Sequence, residues 1–143
     1  MPKKSDNGLA ETLAAFDRIA RAPREKLVSA LAKEAHKFAD TAEGFAEASR
    51  DTGALINSIS VTMPGRSTPP YSQPGGSRVA AETEVIVTAG DSDVRYAHLV
   101  EYGTSDTEAQ PFFWPSYRLL KTGMKANITR AAKKAVKDSW NAK

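Results

Sequence analysis

Apolar residues recur along the first third of the chain at helical spacing. Leu9, Leu13, Phe16 and Ala20 stand three or four residues apart among polar neighbours, which predicts a short amphipathic helix over 9–22. Pro23 suits the first turn of a second helix. Its row is Leu27, Leu31, Ala35, Phe38, Ala42 and Phe45, and the pattern carries it to about Arg50. Gly44 weakens the last turns by about 1 kcal/mol relative to Ala, and Asp51–Gly53 ends the helix. The eight residues before Leu9 are polar and are expected to be disordered.

The period then shortens. After Leu55 and Ser58, Ile59 and Val61 alternate with Ser60 and Thr62, predicting a strand that runs to Met63. A second strand is predicted over 83–90, with Val85 and Val87 on one face, followed by a turn at Asp91–Asp93. Between the strands, residues 64–78 hold four of the eight prolines and three of the nine glycines, too many for a regular element. A long exposed loop is expected there. Residues 95–102 fit a strand or a single helical turn equally well. A last helix is predicted from near Pro115 to about Trp140, with Leu120, Met124, Ile128, Ala131, Ala135 and Val136 along one row, closing at Trp140. With no internal repeat or linker, 9–143 reads as one domain. Its order predicts the α+β class, an antiparallel sheet packed against a long N-terminal helix and a C-terminal amphipathic helix.

At 143 residues the chain can bury one modest core, and 41% apolar with 26% charged residues is an ordinary soluble composition. No run of eighteen apolar residues occurs, so no membrane partner is expected. The opening MPKKSDNG has no apolar stretch behind it and does not read as a secretory signal. The absence of cysteine excludes disulfides, thiolate metal sites and a Cys nucleophile. The net charge of +3 says little about partners, but its distribution says more. Residues 81–110 hold seven acids and one base, and residues 118–143 hold eight bases and one acid. An acidic segment followed by a basic one can attract within a molecule or between copies.

Candidate chemistry is sparse. His98 and Glu101 are three apart, but the only other histidine, His36, lies on a distant helix, and zinc needs three or four ligands. No Gly-x-Ser-x-Gly elbow is present, and PGGSR lacks the Gly-Lys-Ser/Thr of a phosphate loop. Asp91 and Asp93 read as solvated acids in a turn. No metal, cofactor or catalytic role is expected. The basic last helix, with Lys121, Lys125, Lys133 and Lys137, could meet nucleic acid, although no helix-turn-helix accompanies it. Its Ala-rich row argues against a membrane surface.

The segment YAHLVEYGTSDTEAQPFFWP, Tyr96 to Pro115, is the most distinctive. Gly103 suits a turn that Thr104 or Ser105 can hold, Pro111 makes Gln110 extended, and Phe112, Phe113 and Trp114 set an aromatic surface before a helix. Such a cluster is expected to divide between core and partner.

Tyr96, Ala97, Val100, Glu101, Gly103, Thr104, Ala109, Pro111, Phe112 and Pro115, with Thr52, Gly53, Leu55, Ser58 and Ile59 earlier, resemble a family signature. It belongs to small tailed-phage proteins typified by the gene-ten product of phage Hong Kong 97. The likeness covers roughly residues 25–140. Tyr102 stands where the signature has Phe, and the 64–78 loop is longer and richer in proline than the family's connection. The resemblance implies a structural virion protein at the head–tail junction, a neck or tail-completion protein made in the host cytoplasm. It implies a homo-oligomeric ring, sixfold or twelvefold, that meets head-closure or connector proteins on one side and tail-terminator or tail-tube proteins on the other. Double-stranded DNA would pass through its channel. On this reading Glu101 and Thr104 fix the turn. Phe112, Phe113 and Trp114 anchor the last helix and part of an interface, and Tyr96, Gly103 and Pro111 belong to the same signature. The loop's role does not carry over from the family; on its own length and composition it could reach a neighbour, the portal side or the tail tube, through Arg66, Tyr71 and Arg78. The alternative is a DNA-binding module acting through the basic helix.

Overall fold

In the computed structural model, which describes residues 3–47 and 53–141, two long antiparallel helices form the frame. Helix α1 runs Lys3–Ala46 and helix α4 runs Phe113–Asn141. Their contacts fix the opposite directions. Phe38 meets Phe113 with ring centroids 5.0 Å apart, Asn127 bonds Glu34, and Lys26 pairs with Asp138. Between the two helices in sequence lie a short helix α2 (Ala54–Asn57), strands β1 (Ser60–Thr62) and β2 (Ile86–Thr88), and helix α3 (Ala97–Tyr102). The strands pair antiparallel, with Ser60 opposite Thr88, Val61 opposite Val87 and Thr62 opposite Ile86. The architecture is α+β, a two-stranded antiparallel sheet packed against the helix pair.

The core lies where α1, α4 and the sheet converge. Phe38, Ala39, Ala42 and Ala46 of α1 bury against Leu55, Ile59, Ala89, Val94, Ala97, Phe112 and Phe113. Burial of each phenylalanine is worth about 1.5–3 kcal/mol. The run of small residues at 39, 42 and 46 lets the sheet approach α1 closely, and Leu120 and Met124 extend the cluster along α4.

Several expectations are corrected. There is no break at Pro23, which sits inside α1, and residues 3–8 belong to that helix. Proline removes one intrahelical bond and crowds the carbonyl four residues back, but the turns on both sides continue the helix through it. Residues 48–52, including Arg50, Asp51 and Thr52, to which the pattern assigned the helix's end, lie outside the described residues. The ambiguous 95–102 segment is helical from Ala97. In β2 it is Ile86 and Thr88 that are buried, while Val85 and Val87 are half-buried. Those two valines line the groove between the helices with Leu31, Met124 and Ile128, so both faces of the strand are covered.

The row on α4 is right as far as Ala135 and then diverges. Val136 and Trp140 are 54% and 70% exposed. At 100° per residue both point away from the face that carries Phe113, Leu120, Ala131 and Ala135. Asp138 and the buried Ser139 fall closer to that face and replace them, Asp138 pairing with Lys26.

One polar contact is buried within the helix pair. The Glu34 carboxylate accepts from Asn127 Nδ2 at 2.8 Å and pairs with Lys37 Nζ at 3.1 Å. The Asn127 bond, with Lys37 and the charges of Lys37 and Lys33, holds the Glu34 carboxyl below its ordinary value against the opposing effect of burial. A depressed folded pKa stabilises above the unfolded value, about 4.3, and that contribution is lost as the pH falls through the folded value. Asn127→Ala is therefore expected to cost about 1.5–3 kcal/mol near neutral pH. The cost should shrink as the pH falls through and below the ordinary carboxylate range and Glu34 protonates in the native protein. Urea midpoints of both proteins at neutral and acid pH measure it. A cost that does not shrink in acid refutes the assignment.

Candidate functional site

The 96–115 segment folds into one unit whose centre is Glu101. From α3 its side chain reaches across to the start of α4. Oε1 accepts the amides of Phe112 at 3.0 Å and Phe113 at 2.8 Å, and Oε2 accepts that of Trp114 at 3.3 Å. A helix start leaves four amides without partners inside the helix. Here three go to one carboxylate, and the next residue, Pro115, has no amide to satisfy. The carboxylate also sits at the positive end of the α4 dipole. It is 7% exposed, so water does little to compete for these bonds. The expectation that Glu101 fixes its own turn is thus corrected, because its partners lie eleven to thirteen residues on.

The return from α3 is made by Gly103 and Thr104. Gly103 ends α3 with φ of 77°, and its amide donates to the Leu99 carbonyl at 2.7 Å. A Cβ there would lie 2.8 Å from the Ala109 nitrogen, so both conformation and space require glycine. Thr104 Oγ1 accepts from the amides of Asp106 at 3.2 Å and Thr107 at 3.0 Å, holding the next turn. Gln110 N then donates to the Val100 carbonyl at 2.8 Å, returning the chain beside α3 ahead of exposed Pro111.

The aromatic residues divide by depth. Phe112 and Phe113 are buried, Trp114 is half-buried, and Tyr96 and Tyr102 are exposed. Phe113 stands edge-on to Phe38, Phe112 and Trp114, and Trp114 edge-on to Tyr117 at 5.9 Å. Trp114 Nε1 donates to Tyr102 Oη at 2.6 Å. Phe at position 102 could not accept that bond. A cavity of about 60 Å³ lies among His98, Glu101, Tyr102, Phe112 and Trp114, well below the roughly 300 Å³ of a small-molecule pocket. His98 is exposed, and among the described residues no group of three or more His, Asp or Glu could hold a metal ion.

Ser58, from the earlier half of the signature, has a role that spacing did not reveal. Its hydroxyl donates to the Leu55 carbonyl at 2.6 Å and accepts the Gly90 amide at 3.0 Å, tying α2 to the turn after β2. A Cβ on Gly90, whose φ is 98°, would lie 2.9 Å from the Val94 carbonyl. In that turn Asp91 Oδ1 accepts from the Asp93 and Val94 amides, both at 2.9 Å, so Asp91 is a turn-former.

The 64–78 loop has no helix or strand but is pinned to the body. Isolated bridges join Ser67 to Val79 and Gln73 to Ala89, and Thr68 and Ser72 are buried. Arg78 forms a two-pronged pair with Glu84 at 2.9 and 2.8 Å, and the Tyr71 ring lies 3.9 Å beneath the Arg95 guanidinium. Two of the three residues expected to reach a neighbour are therefore engaged within the chain, and Arg66 is exposed. Lys121, Lys125, Lys133 and Lys137 are exposed along α4.

Comparison with known proteins found no matching family model, no matching curated protein and no matching solved structure.

Glu101→Ala leaves three amides at the α4 start without an acceptor and is expected to lower stability by about 2–4 kcal/mol. Glu101→Gln, which keeps one acceptor oxygen, should restore part of the loss. Urea unfolding followed by far-ultraviolet dichroism measures both. An alanine variant as stable as the parent would show that the carboxylate does not hold the helix.

Proposed function

We propose that this chain is a structural subunit of a tailed-phage virion. It would assemble as a ring at the head–tail junction, in a neck or tail-completion role, and leave a channel for DNA. The reading starts from the signature resemblance, and one observation carries it toward assembly. The acidic and basic segments do not neutralise each other inside the molecule. Glu101 is used by backbone amides and Glu84 by Arg78, but Glu82, Asp93, Asp106 and Glu108 are exposed. So are Arg118, Lys121, Lys125, Lys133, Lys134 and Lys137 of α4. Among the described residues no ion pair joins the two sets. Complementary faces on one chain suit the head-to-tail contact that closes a ring. The signature carboxylate, Glu101, is occupied in holding a helix and so leaves the segment's pattern free for a structural role.

A second reading, DNA binding, is favoured by a groove between the helices. Lys33 and Lys37 of α1 and Arg130 and Lys134 of α4 line it, together with Glu34, to which Lys37 is paired. Four cations around one groove suit phosphate oxygens.

The deciding experiment is electron microscopy of a lysate from the parent phage with this gene disrupted. DNA-filled heads beside complete, unattached tails are expected, and intact virions would overturn the joining role. With the purified chain, light scattering should show assembly that weakens as salt rises from about 0.05 to 0.5 M, because the charged faces are solvent-exposed. A tight, salt-sensitive complex with duplex DNA formed by a chain that does not self-associate would favour the second reading.

A further inference from the structure

The basic groove lies on the flank of the helix pair opposite the sheet. Lys33 and Lys37 fall on the other side of α1 from Leu31 and Ala35, which line the groove on the sheet side. All four cations of the basic groove, Lys33, Lys37, Arg130 and Lys134, are exposed. Lys37 pairs with Glu34, and among the described residues the other three form no ion pair. Four bases less one acid leave the groove positive. Lys33 to Lys37 and Arg130 to Lys134 are each one turn of helix, so the charged length is about 6 Å.

An acidic turn of matching size stands elsewhere on the chain. Thr104 N donates to the Thr107 carbonyl at 2.9 Å, and Thr104 Oγ1 accepts the amides of Asp106 and Thr107, which closes the turn on itself. Asp106 and Glu108 are left exposed, and neither has an ion-pair partner among the described residues. Their Cα atoms are at most about 7 Å apart. A turn held by its own bonds loses little freedom on docking. It cannot fill the groove of its own chain. Glu101 and the bond from Gln110 to Val100 hold it at the start of α4. Arg130 comes seventeen residues after Phe113 on that helix, about 26 Å away.

We infer that the Thr104–Glu108 turn of one copy docks in the α1–α4 groove of a neighbouring copy, with Asp106 and Glu108 among Lys33, Lys37, Arg130 and Lys134. The occupant is a second copy because charge and length both match, and because turn and groove are too far apart to meet within one chain. Duplex DNA suits the groove less well. A site about 6 Å long meets about two phosphates of one strand, whose charges recur every ~3.4 Å, whereas strong duplex binding draws on roughly 6–10. Turn and groove are different surfaces, so each copy gives one and receives one, as a ring requires. This inference rests on the assembly reading above and specifies its interface.

Charge exchange tests it. Asp106→Lys with Glu108→Lys makes a turn variant, and Lys33→Glu with Lys134→Glu a groove variant. All four positions are exposed, and their side chains hold no hydrogen bond among the described residues. Far-ultraviolet dichroism checks that both variants keep the fold. If reversal disturbs the helix pair, Lys33→Gln with Lys134→Gln should give a smaller loss of the same sign. In light scattering at about 0.05 M salt, each variant alone should assemble at least about tenfold more weakly than the parent, because like charges then meet. An equal mixture of the two should restore assembly, since the reversed turn meets the reversed groove and the native turn meets the native groove. Glu82→Lys, which reverses an exposed acid outside the turn, should stay within about twofold of the parent. Variants that assemble like the parent, a mixture that restores nothing, or an equal loss in Glu82→Lys overturns the inference and leaves the assembly reading standing. A parent chain that does not self-associate overturns both, and loss of its duplex binding in the groove variant would then assign the groove to nucleic acid.

Discussion

The seat of α4 depends on one carboxylate. Glu101 satisfies three backbone amides that would otherwise be buried at the helix start without partners, and Pro115 removes the need for a fourth. Each unsatisfied buried donor costs about 1–3 kcal/mol, comparable to a large part of a small domain's stability. The same bonds fix where Phe112 and Phe113 enter the core, and hence where Phe38 of α1 finds its edge-on partner. The aromatic packing supplies more free energy, but the carboxylate gives it a register. Gly103 serves this geometry, since only a residue without Cβ brings the chain back within reach of α3.

Farther along the helix pair, Glu34 and Asn127 set the relation of α1 to α4 in a different way. A buried carboxylate with one amide partner and one lysine is a poor source of net stability. It does penalise sliding, because a displacement by one turn would leave the carboxylate without its amide. The hydrophobic row alone would not resist that shift, since its residues recur at every turn. Polar specificity at Glu34 and capping at Glu101 thus fix the middle and one end of a contact that aromatic and aliphatic burial drives.

The elements with strong periodicity were legible from residues alone. The rows Leu27–Phe38 and Leu120–Ala135 identified the two packed faces, and the alternation at Ile59–Thr62 located β1. Legibility failed where the deciding partner was distant or was backbone. Nothing local marks Glu101 as a cap for amides eleven residues on, or Ser58 as the acceptor for Gly90. Residues 95–102 were ambiguous because a single turn is too short to show a period. Val136 and Trp140 were misplaced because hydrophobicity was taken as burial, whereas helical phase turns both outward. Pro23 misled because a proline that suits a helix start can also be carried inside a long helix. The loop at 64–78 is largely exposed, as its composition predicts. Composition does not register two isolated bridges and an Arg78–Glu84 pair.

The same accounting bears on function. The signature segment spends its polar groups inward, on the start of a helix and on the turn that leads to it, and so explains its own residue pattern without a ligand. What the fold does not satisfy lies elsewhere, in the exposed Leu9, Leu13 and Phe16 of α1, the exposed Val136 and Trp140 of α4, and two charged segments with no ion pair between them among the described residues. A monomer gains little from keeping these features together, because exposed apolar surface invites association. For a subunit of the proposed ring the charged segments would be complementary, since an acidic face needs a basic one. The interior residues make the piece rigid, and under the proposed function the residues left outside are those through which rigid pieces would join.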